Sequence, residues 1–256
     1  MRIDRHLVEH GHFPSRAQAQ AAIRAGLVRV DGNVVRKPSD PVPDGAAVEA
    51  EAPHPWVGRG GLKLDHALSR FALDVRGRRV LDVGASTGGF TDVLLARGAA
   101  RVYAVDVGRD QLHPRLRADP RVAVMEGQDA RALTLARLDG EPVDMVVVDA
   151  SFIPLAKVLP VPLSLARPGA DLVALVKPQF EVGKAGVGSG GIVRDATLRE
   201  RAVGDASAWL AGQDWEVLGM VDSPVSGGSR RGGGNRESLI WARKALNPAR
   251  GEEAVG

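Results

Sequence analysis

Leu81-Asp82-Val83-Gly84-Ala85-Ser86-Thr87-Gly88-Gly89-Phe90 runs from an apolar strand through a glycine-rich turn into a helix. A Val/Leu strand that ends on glycines and restarts as a helix predicts the first crossover of an open α/β sheet, where ligands lie at the carboxyl ends of the strands. Glycines there let backbone approach a ligand closely. Their spacing is not Gly-x-Gly-x-x-Gly, the tight cradle that a pyrophosphate needs. The looser Asp-x-Gly-x-x-x-Gly turn suits a cofactor without phosphates, and S-adenosylmethionine is the one expected.

Outward from this turn, strands alternate with helices. The pattern predicts a helix over about 62–73, a strand at 79–83, a helix at 87–97 and strands at 101–106, 121–125 and 143–149. A helix after Pro154, a strand at 170–176 and a helix at 196–212 follow. The strands are Val/Leu-rich on both faces, as in a parallel sheet covered by helices on each side. Two last strands, near 215–222 and 237–243, have only a loop between them and should form an antiparallel pair closing the sheet. That ending is more typical of the methyltransferase variant of the Rossmann architecture than of a dinucleotide-binding dehydrogenase. The expected fold class is therefore α/β, a Rossmann-like seven-stranded methyltransferase sheet, with a small α+β domain in front of it.

Asp106 closes the second strand, where an acid can accept hydrogen bonds from both hydroxyls of a ribose; Val107 follows it. Asp129, after the third strand, can take an adenine amino group. The expected cofactor set is Asp82, Gly84, Ala85, Ser86, Thr87, Gly88, Asp106, Val107, Asp129 and Asp149.

The N-terminal stretch has another texture. Residues 3–10 predict a short helix; Ser15 can cap a second one running to about Ala25, with Ala17, Ala21 and Ala22 on its buried side. Val28 and Val30 alternate with arginine, Asp31-Gly32 signals a hairpin turn, Val34-Val35 begins the return, and one more strand is expected around 47–50. A stretch rich in proline and acids (38–55) marks the boundary. The division expected is 1–52 for a small RNA-binding domain, 53–60 for a linker, 61–245 for the catalytic domain and 246–256 for a flexible tail.

Composition bounds the rest. With 256 residues, 44% hydrophobic and 25% charged, the chain has globular composition and more length than one typical domain needs. No apolar run reaches the length of a membrane span and the N-terminus lacks a signal-peptide core, so a cytoplasmic protein without a membrane partner is expected. There is no cysteine. That excludes disulfides, thiolate metal sites and covalent Cys catalysis, cytosine-C5 methylation included; no metal site is expected. Within 1–37, Arg2, Arg5, Arg16, Arg24, Arg29, Arg36 and Lys37 outnumber Asp4, Glu9 and Asp31, a balance that suits a phosphate backbone.

Four charged residues stand near ends of elements that should converge: Lys63, Asp149, Lys177 and Glu237. A lysine just beyond an apolar strand is a buried-charge problem, and a paired acid is its usual remedy. A ribose hydroxyl is a poor nucleophile, and its attack on a sulfonium methyl requires loss of its proton. A lysine can serve as base where burial and a neighbouring cation favour its neutral form. Lys177 is the expected base, with Lys63, Asp149 and Glu237 positioning it. The competing chemistry, methylation of a base amino group, typically uses Asp/Asn-Pro-Pro-aromatic after the fourth strand. Here that stretch is Asp149-Ala150-Ser151-Phe152, with both prolines missing. Phe152 either stacks on a displaced base or packs in the core.

With these residues the chain resembles the TlyA family, historically called haemolysin A, whose catalytic domain is similar to FtsJ-type ribose 2'-O-methyltransferases. In the N-terminal part the likeness rests on Arg2-Ile3-Asp4, Ser15-Arg16 with Ala19 and Ile23, Gly26 to Gly32 and Lys37-Pro38. These resemble the RNA-binding module first seen in small-subunit ribosomal protein S-four. In the catalytic part it rests on Arg59-Gly60-Gly61-Leu62-Lys63-Leu64, Asp82 to Phe90, Asp149 to Ile153 and Leu175 to Gly183. The resemblance implies a Lys-Asp-Lys-Glu tetrad on Lys63, Asp149, Lys177 and Glu237. It also implies ribosomal RNA in 30S and/or 50S subunits as substrate, methylated on a cytidine ribose of 16S and/or 23S rRNA, with Arg2, Arg16 and Lys37 on RNA phosphates. Two departures stand out: His54 in the linker before Trp56, where a basic residue is common, and an enlarged loop over 227–235, where the family has a short Gly-Asn turn.

Segment Gly183–Gly191, with five glycines, is either a lid over bound RNA or a plain surface loop. Two other functions stay open: a ribosome-binding assembly factor whose methyltransferase fold no longer turns over, and a membrane-lytic protein, as the family's historical name suggests. The sequence carries no signal for an oligomeric state.

Overall fold

The computed structural model describes residues 1–13, 15–227 and 234–246; most of the loop at 227–235 and nearly all of the tail at 246–256 lie outside the described residues. The chain divides into two compact units, Met1–Pro55 and Trp56–Gly256.

In the first unit, α1 (Ile3–Glu9) and α2 (Arg16–Arg24) are followed by β1 (Val28–Val30), β2 (Asn33–Val34) and β3 (Val48–Ala50), an antiparallel sheet in the order β2-β1-β3. Ser15 caps α2, its Oγ accepting from Gln18 N at 3.4 Å. Asp31 and Gly32 take φ of 48° and 76°, the left-handed pair that a two-residue hairpin turn demands. Ile3, Leu7, Phe13, Ala19, Ala22, Ile23, Val28 and Val42 form the core. The buried face of α2 thus differs from the expected one: Ala17 is exposed and Ala21 only half-buried. Ala19, Ala22 and Ile23 share a stripe at i, i+3 and i+4, and Ala17, two residues from Ala19, falls on the opposite side.

The second unit runs α3 (Gly60–Arg70), β4 (Arg79–Val83), α4 (Gly89–Ala96), β5 (Arg101–Asp106), α5 (Pro114–Arg117), β6 (Val122–Glu126) and β7 (Val143–Val148). It continues with α6 (Leu155–Val158), α7 (Pro160–Ser164), β8 (Ala166–Val176), α8 (Pro178–Glu181), α9 (Ala196–Ala211), β9 (Trp215–Asp222) and β10 (Ser238–Lys244). Seven strands form one sheet in the order β6-β5-β4-β7-β8-β10-β9. Strands β4 to β8 pair in parallel, and β10 lies antiparallel between β8 and β9. The expected antiparallel closing pair is present, with its later strand, β10, inserted between β8 and β9.

Side chains alternate across the sheet with period two. Leu81, Val83, Val105, Val146, Val148, Leu172, Ala174 and Val176 pack with Leu155, Leu163 and Leu210 of α6, α7 and α9. Val80, Val102, Met145, Val147, Val173, Leu175 and Leu239 pack with Leu64, Leu68, Val93 and Leu94 of α3 and α4. Helix α4 begins at Gly89 rather than at 87, because Gly88 sits in the left-handed region at φ 95° and ends the turn.

A Cβ on Gly88 would run into the side chains of Leu112 and Leu116. Gly88→Ala should therefore cost about 1–3 kcal/mol, read as a lowered urea midpoint; an unchanged midpoint would mean that the turn relaxes freely.

Candidate active site

Strand alternation brings three charged side chains to one face of the sheet. Val147, Leu175 and Leu239 face α3 and α4. Asp149 and Lys177 lie two residues beyond the first two, and Glu237 two residues before the third, so all three continue that face past the sheet's edge. Because β10 is antiparallel, Glu237 stands at its start while Asp149 and Lys177 follow the ends of β7 and β8. Helix α3 covers this face and supplies Lys63 from its first turn.

The structure brings the four expected residues together. Lys63 Nζ donates to Glu237 Oε2 at 2.7 Å and stands 3.9 Å from Asp149 Oδ2. Lys177 Nζ lies 2.6 Å from Asp149 Oδ1 and donates to Ser151 Oγ at 2.8 Å and to the Asp149 carbonyl at 3.3 Å. Both lysines and Glu237 are buried, and Asp149 holds the place between the two ammonium groups. Close backbone approach makes this possible: a Cβ on Gly60 would stand 3.4 Å from Asp149 Oδ2, and one on Gly89 2.9 Å from Gly61 N. All four residues line a cavity of about 580 Å³ together with Phe90 and Asn235.

A second cavity of about 480 Å³ lies beside the first, sharing Gly84, Ser86, Asp149, Ser151 and Phe152 with it. Asp106 faces it, its Oδ2 accepting from Ser86 N at 2.8 Å and its Oδ1 from Gly108 N at 2.7 Å. Each oxygen keeps a lone pair for a hydroxyl. Val107, 73% exposed, offers an apolar surface at the same rim. Asp129 also lines it, but its carboxylate is already held by Arg131 at 2.6 Å, whose side-chain and backbone hydrogen bonds keep it below the usual carboxylate range. An adenine amino group would have to share it. Ala85 and Thr87 line the first cavity. An apolar rim, a hydroxyl-accepting acid and a turn lined by backbone fit an adenosine, and the neighbouring Asp149 fits a sulfonium. The residues present therefore suit S-adenosylmethionine.

Two expected cofactor residues stand behind the wall instead of on it. Gly88 shapes the turn, and neither cavity is lined by Asp82. Asp82 is fully buried, with Oδ2 accepting from Thr91 Oγ1 at 2.6 Å, which ties β4 to α4, and with Oδ1 unpartnered. Burial pushes its pKa up to about 7, against the opposing effect of the Thr91 bond.

Phe152 is 90% exposed, so it is not a core aromatic; its ring centroid lies 5.2 Å from that of Phe180. It holds φ 67°, uncommon for a bulky residue. Glu181 Oε1 accepts from Leu155 N at 2.9 Å, fastening the Phe152 loop to the segment that carries Phe180. Sequence reading missed Ser151, Phe180 and Asn235. For Ser151 there was a signal, a hydroxyl two residues after the strand-end acid; for Asn235 there was none.

In the first unit, Asp4 is fully buried and collects Arg2 (Nε to Oδ1, 3.0 Å), Arg16 (Nη2 to Oδ2, 2.6 Å) and Gln20 (Nε2 to Oδ2, 2.9 Å). Burial alone would raise its pKa, but these hydrogen bonds hold it well below the usual carboxylate range. The Arg2 and Arg16 side chains remain about half exposed, each with free donors beyond Asp4. Lys37 is exposed and opens the turn whose Pro38 and Asp40 carbonyls accept from Asp4 N and Ile3 N, so it stands near the same helix start.

Residues 56–244 match the family model described as FtsJ-like methyltransferase, and residues 1–48 the S4 domain model. The chain is 48% identical over 260 residues to the 16S/23S rRNA (cytidine-2'-O)-methyltransferase TlyA of Mycobacterium tuberculosis, covering 99% of this chain and 95% of that protein. It is 37% identical to Hemolysin A of Brachyspira hyodysenteriae, covering 89% and 95%. A solved structure titled as a hemolysin, from Streptococcus thermophilus, superposes with a TM-score of 0.76 at 38% identity, covering 97% of this chain and 90% of that one.

Asp82 gives the site a pH signature. Its pKa rises from 3.8 in the unfolded chain to about 7 in the fold, so the unfolded state ionises first. Its contribution to stability is then lost as pH rises from about 4 to about 7, with a slope of about 1.4 kcal/mol per pH unit at most. Asp82→Asn removes that titration. The urea midpoint of the variant relative to wild type should be higher at pH 8 than at pH 5; a constant difference would show that Asp82 does not titrate in this range.

Proposed function

Because the chain belongs to the FtsJ-like methyltransferase family, we propose that it transfers a methyl group from S-adenosylmethionine to the 2'-hydroxyl of a cytidine in ribosomal RNA. Its substrate is 16S rRNA, 23S rRNA or both, met in the 30S and 50S subunits in the cytoplasm. The observation that carries this reading is the pair of buried lysines sharing Asp149 where the two cavities meet.

Bound S-adenosylmethionine supplies an electrophilic sulfonium methyl. The Gly84–Thr87 turn, Asp106 and Val107 would hold it, leaving the part of the first cavity around the tetrad to the nucleotide. Lys177 Nζ donates two hydrogen bonds, to Ser151 Oγ and to the Asp149 carbonyl, and stands 2.6 Å from Asp149 Oδ1 as an ion pair without a hydrogen bond, so one of the three N–H directions of its ammonium is left without a protein acceptor. In its neutral form Nζ carries a lone pair along that third direction and accepts the 2'-hydroxyl proton there. The ammonium so formed finds its partners already in place, which avoids reorganisation as charge develops. Lys63, fixed by Glu237, holds the other carboxylate oxygen of Asp149 and so keeps that carboxylate turned toward Lys177. Phe152 takes the nucleobase on its exposed face, with Phe180 behind it. The S4 domain binds the surrounding RNA through Arg2, Arg16 and Lys37.

The intact ion network favours an enzyme over a silent assembly factor. Among the described residues no helix is long and apolar enough to cross a membrane, and liposome leakage at micromolar protein would separate the lytic reading that the hemolysin names suggest.

Labelled methyl should pass from S-adenosylmethionine to purified 30S or 50S subunits with wild type. With Lys177→Ala, transfer should be lost while cofactor affinity stays within about tenfold; near-normal turnover would remove Lys177 from the role of base. Neutralising Arg16 or Lys37 should weaken subunit binding and lower the salt slope by about one for each RNA phosphate no longer neutralised. An unchanged slope would place those charges in solvent.

A further inference from the structure

The cavity that holds the tetrad has a roof built from a short glycine-rich stretch. Gly190, Gly191 and Ile192 line it, as does Val187 before them. Gly190 and Gly191 take φ of 77° and 75°, and Gly188 N bonds the Ile192 carbonyl at 3.1 Å, closing the stretch on itself. Backbone of this kind has little to hold it in place. Two kinds of side-chain bond do so: Arg199 donates from Nη1 to the Val193 carbonyl at 3.2 Å, and Asn235, itself buried, donates from Nδ2 to the Gly191 carbonyl at 2.8 Å and accepts at Oδ1 from Val193 N at 2.8 Å. A carbonyl on one side and an N–H on the other allow only one orientation of the amide. Asn235 also accepts from Gly227 N through its own carbonyl at 2.9 Å, and it stands two residues before Glu237.

We propose that Asn235 is a further positioning residue of methyl transfer: it fastens Gly188–Val193 over the tetrad cavity and ties that roof to the strand start that carries Glu237. The inference rests on the methyltransferase reading above. Glu237 is the partner of Lys63, and Lys63 in turn abuts Asp149. When the roof lifts to admit an RNA strand, the two amide bonds to Gly191 and Val193 break. When it settles, they re-form and draw Glu237 into register. Gly84, Ser86, Asp106 and Val107 of the cofactor set line the neighbouring cavity, whose lining includes no residue of 187–193 and not Asn235, and Asn235 bonds neither Ala85 nor Thr87. Loss of the latch should therefore slow transfer without loosening the cofactor.

The substitutions are Asn235→Ala and Asn235→Asp, the second keeping the acceptor for Val193 N while losing the donor to Gly191. Three measurements on the full chain decide the matter: hydrogen exchange of the Val193 amide, affinity for S-adenosylmethionine, and the single-turnover rate on saturating ribosomal subunits. For Asn235→Ala, exchange should rise about fivefold or more. The rate should fall by between about tenfold and a hundredfold, and cofactor affinity should hold within about threefold. Asn235→Asp should lie between Asn235→Ala and wild type in rate. A wild-type rate with faster exchange would overturn the proposal, since the latch would then be irrelevant to chemistry. So would a parallel loss of cofactor affinity, which would mark Asn235 as a general support of the fold. If wild type itself transfers no methyl to either subunit, the methyltransferase reading fails first, and the exchange measurement still reports whether Asn235 fastens the roof.

Discussion

Two lysines stand against the carboxylate of Asp149 at the carboxyl edge of the sheet; without it Lys177 would be a buried cation with no carboxylate partner, while Lys63 would keep Glu237 alone. Removing one partner from such a pair costs about 3–5 kcal/mol, because the remaining charge is left uncompensated in a poorly solvated place. An apolar cluster of equal volume would be as stable or more so. The four charges are thus better explained by chemistry than by stability. Their placement requires every feature of the surrounding architecture: parallel β7 and β8 ending side by side, an antiparallel β10 starting at the same edge, and α3 laid across the face to which their alternation points.

The same acid joins the tetrad to the cofactor turn. Asp149 N bonds the Val83 carbonyl at 3.0 Å, and a Cβ on Gly84 would come within 2.9 Å of the Asp149 carbonyl. With φ 83°, Gly84 is, like Gly88, a position of the turn where both the backbone angle and the space demand glycine. One strand end therefore carries a carboxylate aimed into one cavity and a backbone that walls the other. Asp106 completes the arrangement from β5, its two oxygens holding the amides of Ser86 and Gly108 and fixing the curvature of the turn. Methyl donor and hydroxyl acceptor would meet where the two cavities join, beside backbone that the fold holds in place, which is the condition under which positioning lowers a barrier.

Much of this was legible in the sequence, for physical reasons that differ from element to element. The sheet was legible because its strands are apolar on both faces and end on turn residues. Asp149 and Lys177 were legible because a lysine or acid directly after such a strand has few stable places to go, and Lys63 and Glu237 because they stand at the starts of elements that converge on the same edge. Helix α2 was misphased because alanines at 17, 19, 21 and 22 leave the period ambiguous; only Ile23 reveals the buried stripe. The split of the glycine motif into residues that face a cavity and residues that stand behind it was not legible, since Asp82 and Asp106 look alike in one dimension. Burial separates them: Asp82 turns to Thr91 inside the unit, and Asp106 turns to the cavity. Asn235 was hidden for the opposite reason. Its partners are backbone groups some forty residues away in sequence, and backbone partners leave no mark on residue type.

The central claim is that a lysine-based site deprotonates a ribose hydroxyl rather than a base amino group. Nucleoside mass spectrometry of ribosomal RNA methylated by the purified protein tests it most directly. The account predicts 2'-O-methylcytidine, with the label in an alkali-resistant dinucleotide. Methyl found on the exocyclic amino group or a ring atom of the base, with the ribose unmodified, would contradict it.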